Sequence, residues 1–187
     1  DEDSNISIDL SGSDIDGDVL TFSLGGDASN GSVTVSGSTA TYVPNSNFNG
    51  SDSFTFLASD GALSSEATVS VTVNPVNDAP AFVTSSLGNV DEDIAYSLTL
   101  DVNDIDNSDD ELSVSVSSGP SWLNVSGLSL FGTPSDSDVG TSVVLLNLSD
   151  GDIITSGAFE ITVNAVNDPP IADNQSVSLN EDEATTI

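Results

Sequence analysis

VSVTVNPVND, residues 69–78, decides how the whole chain reads. Val69, Val71 and Val73 alternate with Ser70 and Thr72, the period-two pattern of a strand with one buried face. Asn74-Pro75 ends it, because proline cannot donate to a ladder. The stretch returns about ninety residues later as EITVNAVND, residues 160–168. Other pieces return in the same register. Glu2-Asp3 recurs as Glu92-Asp93 and again as Glu181-Asp182, SDIDGD at 13–18 as NDIDNS at 103–108, and SDG at 59–61 as SDG at 149–151. A fixed long period is the mark of a tandem array. The reading is two repeats and the start of a third, divided as 1–76, 77–166 and 167–187.

Each repeat reads as all-β. Ile6, Ile8 and Leu10 alternate with polar residues, as do Leu20, Phe22 and Leu24, then Phe54, Phe56 and Ala58. In the second repeat Tyr96, Leu98 and Leu100 do so, then Leu112, Val114 and Val116, then Phe159, Ile161 and Val163. Gly, Asn, Asp and Pro fall between the runs, and no segment carries a helical period. About seven short strands per repeat predict Greek-key β-sandwiches of immunoglobulin type. Trp122, in PSWL, is expected to plug a core. The first repeat, opening at Asp1, is expected to lack its leading strand. Ile171–Leu179 reads as a leading strand with no sandwich of its own.

The chain has 187 residues with 31 Asp and Glu, and no Lys, Arg or His. No internal salt bridge can form, and carboxylates at this density oppose compaction. Disorder would need low hydrophobicity as well, whereas 36% of the residues are hydrophobic and patterned. The remaining way to balance the charge is dissolved cations, and all-oxygen ligands select hard ones, above all Ca²⁺. The same absences argue against nucleic acid, whose phosphates need Lys or Arg, and against an anionic membrane surface. Without Cys there are no disulfides, thiolate nucleophiles or zinc–thiolate sites, and without His the commonest general base is missing. The acidic residues sit in turns rather than around a cleft, so catalysis is not expected. No apolar run is long enough to span a bilayer. With no Met, Asp1 is not a translation start, so the chain is expected to be a processed product or an excerpt.

The loops place the ions. In such a sandwich Asp104, Asp106 and Asp150 gather at the top of the second repeat, where Asn77 and Asp78 enter. Glu2 and Asp52 are expected at the bottom of the first repeat. Seven oxygen-bearing side chains would then meet at one junction, within the six to eight oxygens that Ca²⁺ takes. Two further half-sites follow: Asp14, Asp16, Asp18 and Asp60 on the first repeat's top, and Glu92, Asp136, Asp138, Asn167 and Asp168 on the second's bottom. Glu181 would join once a neighbour is present. An EF-hand is excluded, since a loop starting at Asp14 has Val19 at position six and Gly25 at position twelve. Solvated Asp turns are the bland alternative.

The first repeat resembles bacterial cadherin-like tandem-repeat domains through DEDSNISIDLSGSDIDGDVLTFSL, YVPNSNFNGSDSFTF and SDG. The second resembles dystroglycan-type cadherin-like domains through PSWLNVSGLSLFGTPSDSDVGT. The resemblance implies several Ca²⁺ ions at domain joints and an adhesive or scaffolding role in large surface adhesins. The linkers are only VNDAP and VNDPP, shorter than the acidic motif of animal cadherins.

Two functions are expected from these readings. One is a Ca²⁺-stiffened extracellular fibre protomer or adhesin segment, copies joining head to tail by donation of the Ile171–Leu179 strand. Asn180–Ile187 overlaps Asp1–Ile8 in register, so both cannot fill one slot. The alternative is a surface module that binds carbohydrate or protein within a longer covalent array. Asn-x-Ser sequons occur at Asn5, Asn30, Asn49, Asn124, Asn147 and Asn174, as chance allows in so Ser- and Asn-rich a chain.

Overall fold

Strands form where β-branched and aromatic residues alternate with Ser and Thr. The computed structural model describes residues 1–178 and Glu181. The first repeat carries β1 (Ile6–Asp9), β2 (Thr21–Leu24), β3 (Gly31–Ser36), β4 (Thr39–Pro44), β5 (Gly50–Ser59) and β6 (Ser64–Val73). They form two sheets, of order β1-β4-β3 and β2-β5-β6. The hairpin between β3 and β4 turns on Gly37 and Ser38. Gly37 has φ +60°, the left-handed geometry that tight hairpins ask of their first turn residue.

Register decides the faces. Phe54 lies opposite Val69, and Phe56 opposite Ala67. The inward side chains make a core of Leu10, Val33, Ala40, Tyr42, Phe54, Phe56 and Val73, with Phe22, Leu24 and Val71 packed against it. Burying each large side chain contributes about 1.5–3 kcal/mol.

The second repeat carries β7 (Ala81–Phe82), β8 (Asn89–Asp91), β9 (Tyr96–Thr99), β10 (Val102–Asn103), β11 (Ser113–Ser118), β12 (Asn124–Ser126), β13 (Ser129–Gly132), β14 (Gly140–Ser149) and β15 (Ile154–Asn164), with a single 3₁₀ turn at Asp136–Asp138. Its sheets run β12-β13-β9 and β11-β14-β15-β8, with a two-stranded sheet of β10 and β7. Leu130, Val144, Leu146 and Leu148 are fully enclosed. Trp122 is half-buried and meets Tyr96 edge-on, ring centroids 5.8 Å apart. Gly132 makes that possible, since a Cβ there would lie 2.0 Å from the Trp122 carbonyl oxygen.

The repeats differ at their leading edge. β8 pairs in parallel with β15, Thr162 opposite Asn89 and Val163 opposite Val90. Among the described residues β6 pairs only with β5. Of the expected C-terminal strand, Leu179 lies outside the described residues. Ile171–Ser178 pairs with no strand among them, and Ile171 and Val177 are 92% and 59% exposed.

The chain packs as two compact units. The first takes Asp1–Ala81 with Val102–Ser113 and Leu148–Thr155; the second takes Phe82–Asp101, Val114–Asn147 and the chain from Ser156 on. The loops bearing Asp104, Asp106 and Asp150 therefore belong to one unit with Glu2 and the 74–78 linker. Among the described residues no helix is long and apolar enough to cross a membrane.

Candidate metal centre

Aspartates after strands tie their own turns. Asp104, following β10, accepts hydrogen bonds on Oδ1 from the N–H groups of Asp106 (2.8 Å) and Asn107 (2.9 Å). Asp150, in the β14–β15 hairpin, accepts on Oδ1 from Asp152 (2.7 Å) and Ile153 (2.6 Å). These are Asx turns, with a short carboxylate standing in for a backbone acceptor. Each leaves a second oxygen directed elsewhere.

The linker is held from both sides. The Asp78 N–H donates to Asp106 Oδ2 at 2.7 Å, and the Asn77 amide donates to Asp150 Oδ2 at 2.8 Å. From the other side Glu2, only 3% exposed, accepts the Val76 N–H on Oε1 at 2.7 Å. The Glu2 N–H donates to the Asn74 carbonyl at 2.9 Å. Strand end, linker and two loops so converge on a few side chains.

The charges there are unbalanced. Burial pushes the Asp78 carboxyl above the usual carboxylate range, and the charges of Asp106, Asp3, Glu2 and Asp104 push it further. Asp150 is held below that range, first by the Ile153 N–H and then by the Asn77 amide. Asp78 Oδ2, Asp104 Oδ2 and Asn107 Oδ1 are all enclosed and accept from no donor. A buried acceptor left this way costs about 1–3 kcal/mol, more when charged. No Lys, Arg or His exists anywhere in the chain to supply a donor. An oxygen-only set of carboxylates, an amide oxygen and nearby carbonyls suits a hard divalent cation. Among the described residues no three carboxylates stand at ion-gripping distance. Part of this oxygen set comes from Asn rather than Asp or Glu.

Asp52 does not belong to this cluster. Its oxygens accept from the N–H groups of Ser29 (3.2 Å), Asn30 (2.9 Å) and Ser53 (2.8 Å) and from the Tyr42 hydroxyl (3.0 Å). Burial raises its carboxyl, but these donors outweigh burial and hold it below the ordinary range. Burial, then the hydrogen bond and charge of Asp52, push Tyr42 up to about 12. Asp52 is a structural carboxylate that ties down the turn before β3. Two residues outside the expected set bear on this cluster. Asp3 acts on Asp78 through space, and Asn107 brings an orphaned oxygen. Their signals were in the sequence, as the partner in the recurring Glu2-Asp3 pair and as the Asn of NDIDNS.

The expected half-sites repeat parts of this geometry. On the first repeat's top, Asp14 Oδ1 accepts from Asp16 N–H at 2.8 Å and from Asp18 N–H at 3.2 Å. Asp60 Oδ1 accepts from Ala62 and Leu63 at 2.6 and 2.7 Å, and these N–H groups hold its carboxyl low. On the second repeat's bottom, Glu92 is 2% exposed and accepts the Val166 N–H at 2.6 Å, copying Glu2, while its Oε2 is enclosed and unpartnered. Asp3 and Asp93 share a left-handed φ, 57° and 60°. Asn167 donates weakly to the Asp168 carbonyl at 3.4 Å, and Asp168 is exposed. Asp138 is otherwise engaged, accepting on Oδ2 from the Ser135 N–H and hydroxyl at 2.9 and 2.7 Å. Asp136 opens that 3₁₀ turn, exposed. Glu181 is exposed.

Residues 1–72 match the family model described as Bacterial Ig domain. No curated protein matches the chain. Among solved structures, human protocadherin-24 EC1-2 aligns at 17% identity and TM-score 0.61, over 85% of this chain and 88% of that one. Drosophila N-cadherin EC1-4 aligns at 20% identity and TM-score 0.59, over 89% and 46%. An endo-fucoidan hydrolase from glycoside hydrolase family 107 shares 28% identity, but the TM-score is 0.44 and the chain spans only 27% of its length, so that likeness carries no argument. The fold is thus that of immunoglobulin-like β-sandwiches, shared with these cadherin domains, and the bacterial Ig domain model covers the first repeat.

Proposed function

We propose that this chain is a non-catalytic, extracellular structural or adhesive module stiffened by Ca²⁺ where its repeats join at the 74–78 linker. One observation carries the reading: Asp78 Oδ2, Asp104 Oδ2 and Asn107 Oδ1 are enclosed without donors beside several carboxylates, in a chain with no cationic side chain. Glu2, Asp78, Asp104, Asp106, Asn107 and Asp150 would hold the ion, with Asn77 turning its amide. A bound divalent cation balances charges that otherwise repel, and it does so only when loops and linker are assembled. The Glu92 cradle with Asn167 and Asp168 would be a second seat. Head-to-tail joining of copies by strand donation belongs to the same reading.

Calorimetric titration of the metal-free chain with Ca²⁺, and separately with Mg²⁺, tests it. Saturable binding of Ca²⁺ in preference to Mg²⁺ is expected, because Mg²⁺ demands a tighter octahedron and sheds its water reluctantly. No saturable Ca²⁺ binding up to about 10 mM, the weak end for extracellular modules, would defeat the reading.

A further inference from the structure

An edge strand turns alternate N–H and C=O groups away from its one neighbour, and an unguarded row of them pairs with another chain. The first repeat guards two such edges. On β3 the Val33 N–H donates to Asp27 Oδ1 at 3.1 Å, so a carboxylate already stands at that row. β2 is four residues long and runs into a bulge. There the Gly25 N–H donates to the Thr55 carbonyl at 2.8 Å and the Thr55 N–H to the Gly26 carbonyl at 2.9 Å. Two residues so face one, and the strand bends aside. In the second repeat β12 and β8 have three residues each, and β8 carries Asp91.

β11 has none of these devices. It is six residues, SVSVSS, with no charge, proline or glycine. It borders the β11-β14-β15-β8 sheet, whose opposite edge is filled by β8. Among the described residues no side chain or loop hydrogen-bonds to the backbone of Ser113–Ser118 outside its ladder with β14. Two of its hydroxyls are spent on that same neighbour, Ser113 and Ser117 donating to the Ser149 and Leu145 carbonyls at 3.4 and 3.2 Å. Val114 is buried and Val116 half-buried, which leaves the serines as the exposed face.

With a net charge of -31, two copies can approach closely only through a neutral stretch. β11 is such a stretch, and it is its own complement. The acidic run Asp109–Glu111 precedes it in sequence, and the neutral run Gly119–Leu123 follows it. Antiparallel pairing of two β11 strands sets the acidic run of each copy beside the neutral run of the other. Parallel pairing would set carboxylates against carboxylates. Opposite residues must also share a face. A two-fold axis at Val116 puts Ser115 opposite Ser117 on the outer face and Val116 opposite itself on the inner one. It carries Glu111 to Ser121, past the end of the partner's strand, whereas an axis at Ser115 would bring Glu111 against Gly119.

We propose that β11 is a homodimerisation edge: two copies pair antiparallel through Val114–Ser118 and join their β11-β14-β15-β8 sheets into one continuous sheet by β-augmentation. Such a contact uses the same patch on both copies and closes as a pair. It needs no ion and does not rest on the Ca²⁺ reading.

Analytical ultracentrifugation of the full chain in EGTA, at about 0.05 M and about 0.5 M NaCl, reads the contact directly, since salt screens the two acidic copies from each other. A dimer that tightens with salt is expected. The double variant Ser115→Asp with Ser117→Asp sets like charges opposite one another at two exposed positions. It should weaken the dimer at least about tenfold, and a melting curve confirms that it folds. Amide exchange of the unaltered chain gives a second reading that needs no variant. The Val114–Ser118 amides should exchange more slowly in concentrated than in dilute protein, while those of β2 and β3 stay unchanged. A dimer indifferent to the two aspartates, or β11 amides that exchange alike at both concentrations, would overturn the proposal. A chain monomeric at both salts would leave this edge to some other protein's strand and overturn it equally.

Discussion

Replacing Asp104 with Asn separates a metal ligand from a structural turn, because its two oxygens have different jobs. Oδ1 accepts from Asp106 and Asn107 N–H, and an amide oxygen can keep both bonds. Oδ2 is enclosed beside Asp78 and Asn107 with no donor, and the Asn amide places an N–H₂ there. Without metal the variant loses one like charge beside Asp78 and gains a donor for the orphaned acceptors. This relief should raise the metal-free melting temperature. With Ca²⁺ at a hundred times the dissociation constant, the parent gains about 2.7 kcal/mol. If loss of a charged ligand weakens the site about a hundredfold, the same Ca²⁺ gives the variant only about 0.4 kcal/mol. The expected result is a reversal: D104N melts above the parent in EGTA and well below it in Ca²⁺. Differential scanning calorimetry of both proteins in both buffers reads it directly. A shift of the same sign and size in both buffers would mean that Oδ2 meets no ion, and the reasoning would fail.

Three other outcomes follow from the structure. Asp52→Ala leaves the Ser29 and Asn30 N–H groups and the Tyr42 hydroxyl without their acceptor, costing about 2–3 kcal/mol, while the Ca²⁺-induced melting shift stays at the parent value; a lost Ca²⁺ response would return Asp52 to the metal centre. In EGTA, Asp78 keeps its proton to higher pH in the folded state than in the unfolded one, so its ionisation lowers stability as pH rises above about 4. Asp52 and Asp150, held low, lose their stabilising effect only as pH falls below about 4. Metal-free melting temperature should therefore peak near pH 4–5 and fall towards neutrality, with Ca²⁺ moving the optimum up; a metal-free curve rising from about pH 4.5 to 7 contradicts it. Gly132→Ala drives a Cβ into the Trp122 carbonyl and should cost about 3 kcal/mol, seen as loss of the near-ultraviolet signal of the chain's single Trp; an unaltered spectrum and melting curve would count against that packing.

Much of the fold was readable because period-two alternation and turn residues are local signals. Val69, Val71 and Val73 lie on β6 as their spacing requires, and Phe159, Ile161 and Val163 are buried on β15. The junction was readable for a different reason. A repeat aligned over ninety residues shows which loops share an end, and Asp104, Asp106, Asp150 and the linker do lie together. Asp52 shows the limit. Its carboxylate has the right charge and the right neighbourhood in sequence, but four donors from the 28–30 turn, Ser53 and Tyr42 reach it first. Which N–H groups a loop leaves unpaired depends on tertiary approach, and that is not written locally. Asp138 Oδ2 is likewise engaged within its own 3₁₀ turn.

The features that the two repeats share make their differences informative. Glu2 and Glu92 are both buried, both accept a linker N–H at 2.6–2.7 Å, and both sit before a left-handed Asp. Asp14 and Asp104 tie their loops at the same 2.8 Å. Yet the position of Asn107, with its orphaned oxygen, is Gly17 in the first repeat, at φ +83° and with open space around it. In exchange, the first repeat carries an exposed carboxylate at Asp18 where the second has Ser108. The two tops therefore offer a similar number of oxygens but hold them differently, and Ca²⁺ affinity follows site rigidity as well as ligand number and charge. Under the proposed reading the enclosed Asn107 oxygen is the better-held ligand. Asn107→Gly, which gives the second repeat the first one's residue, should weaken Ca²⁺ binding in calorimetric titration; an unchanged affinity would show that this oxygen meets no ion.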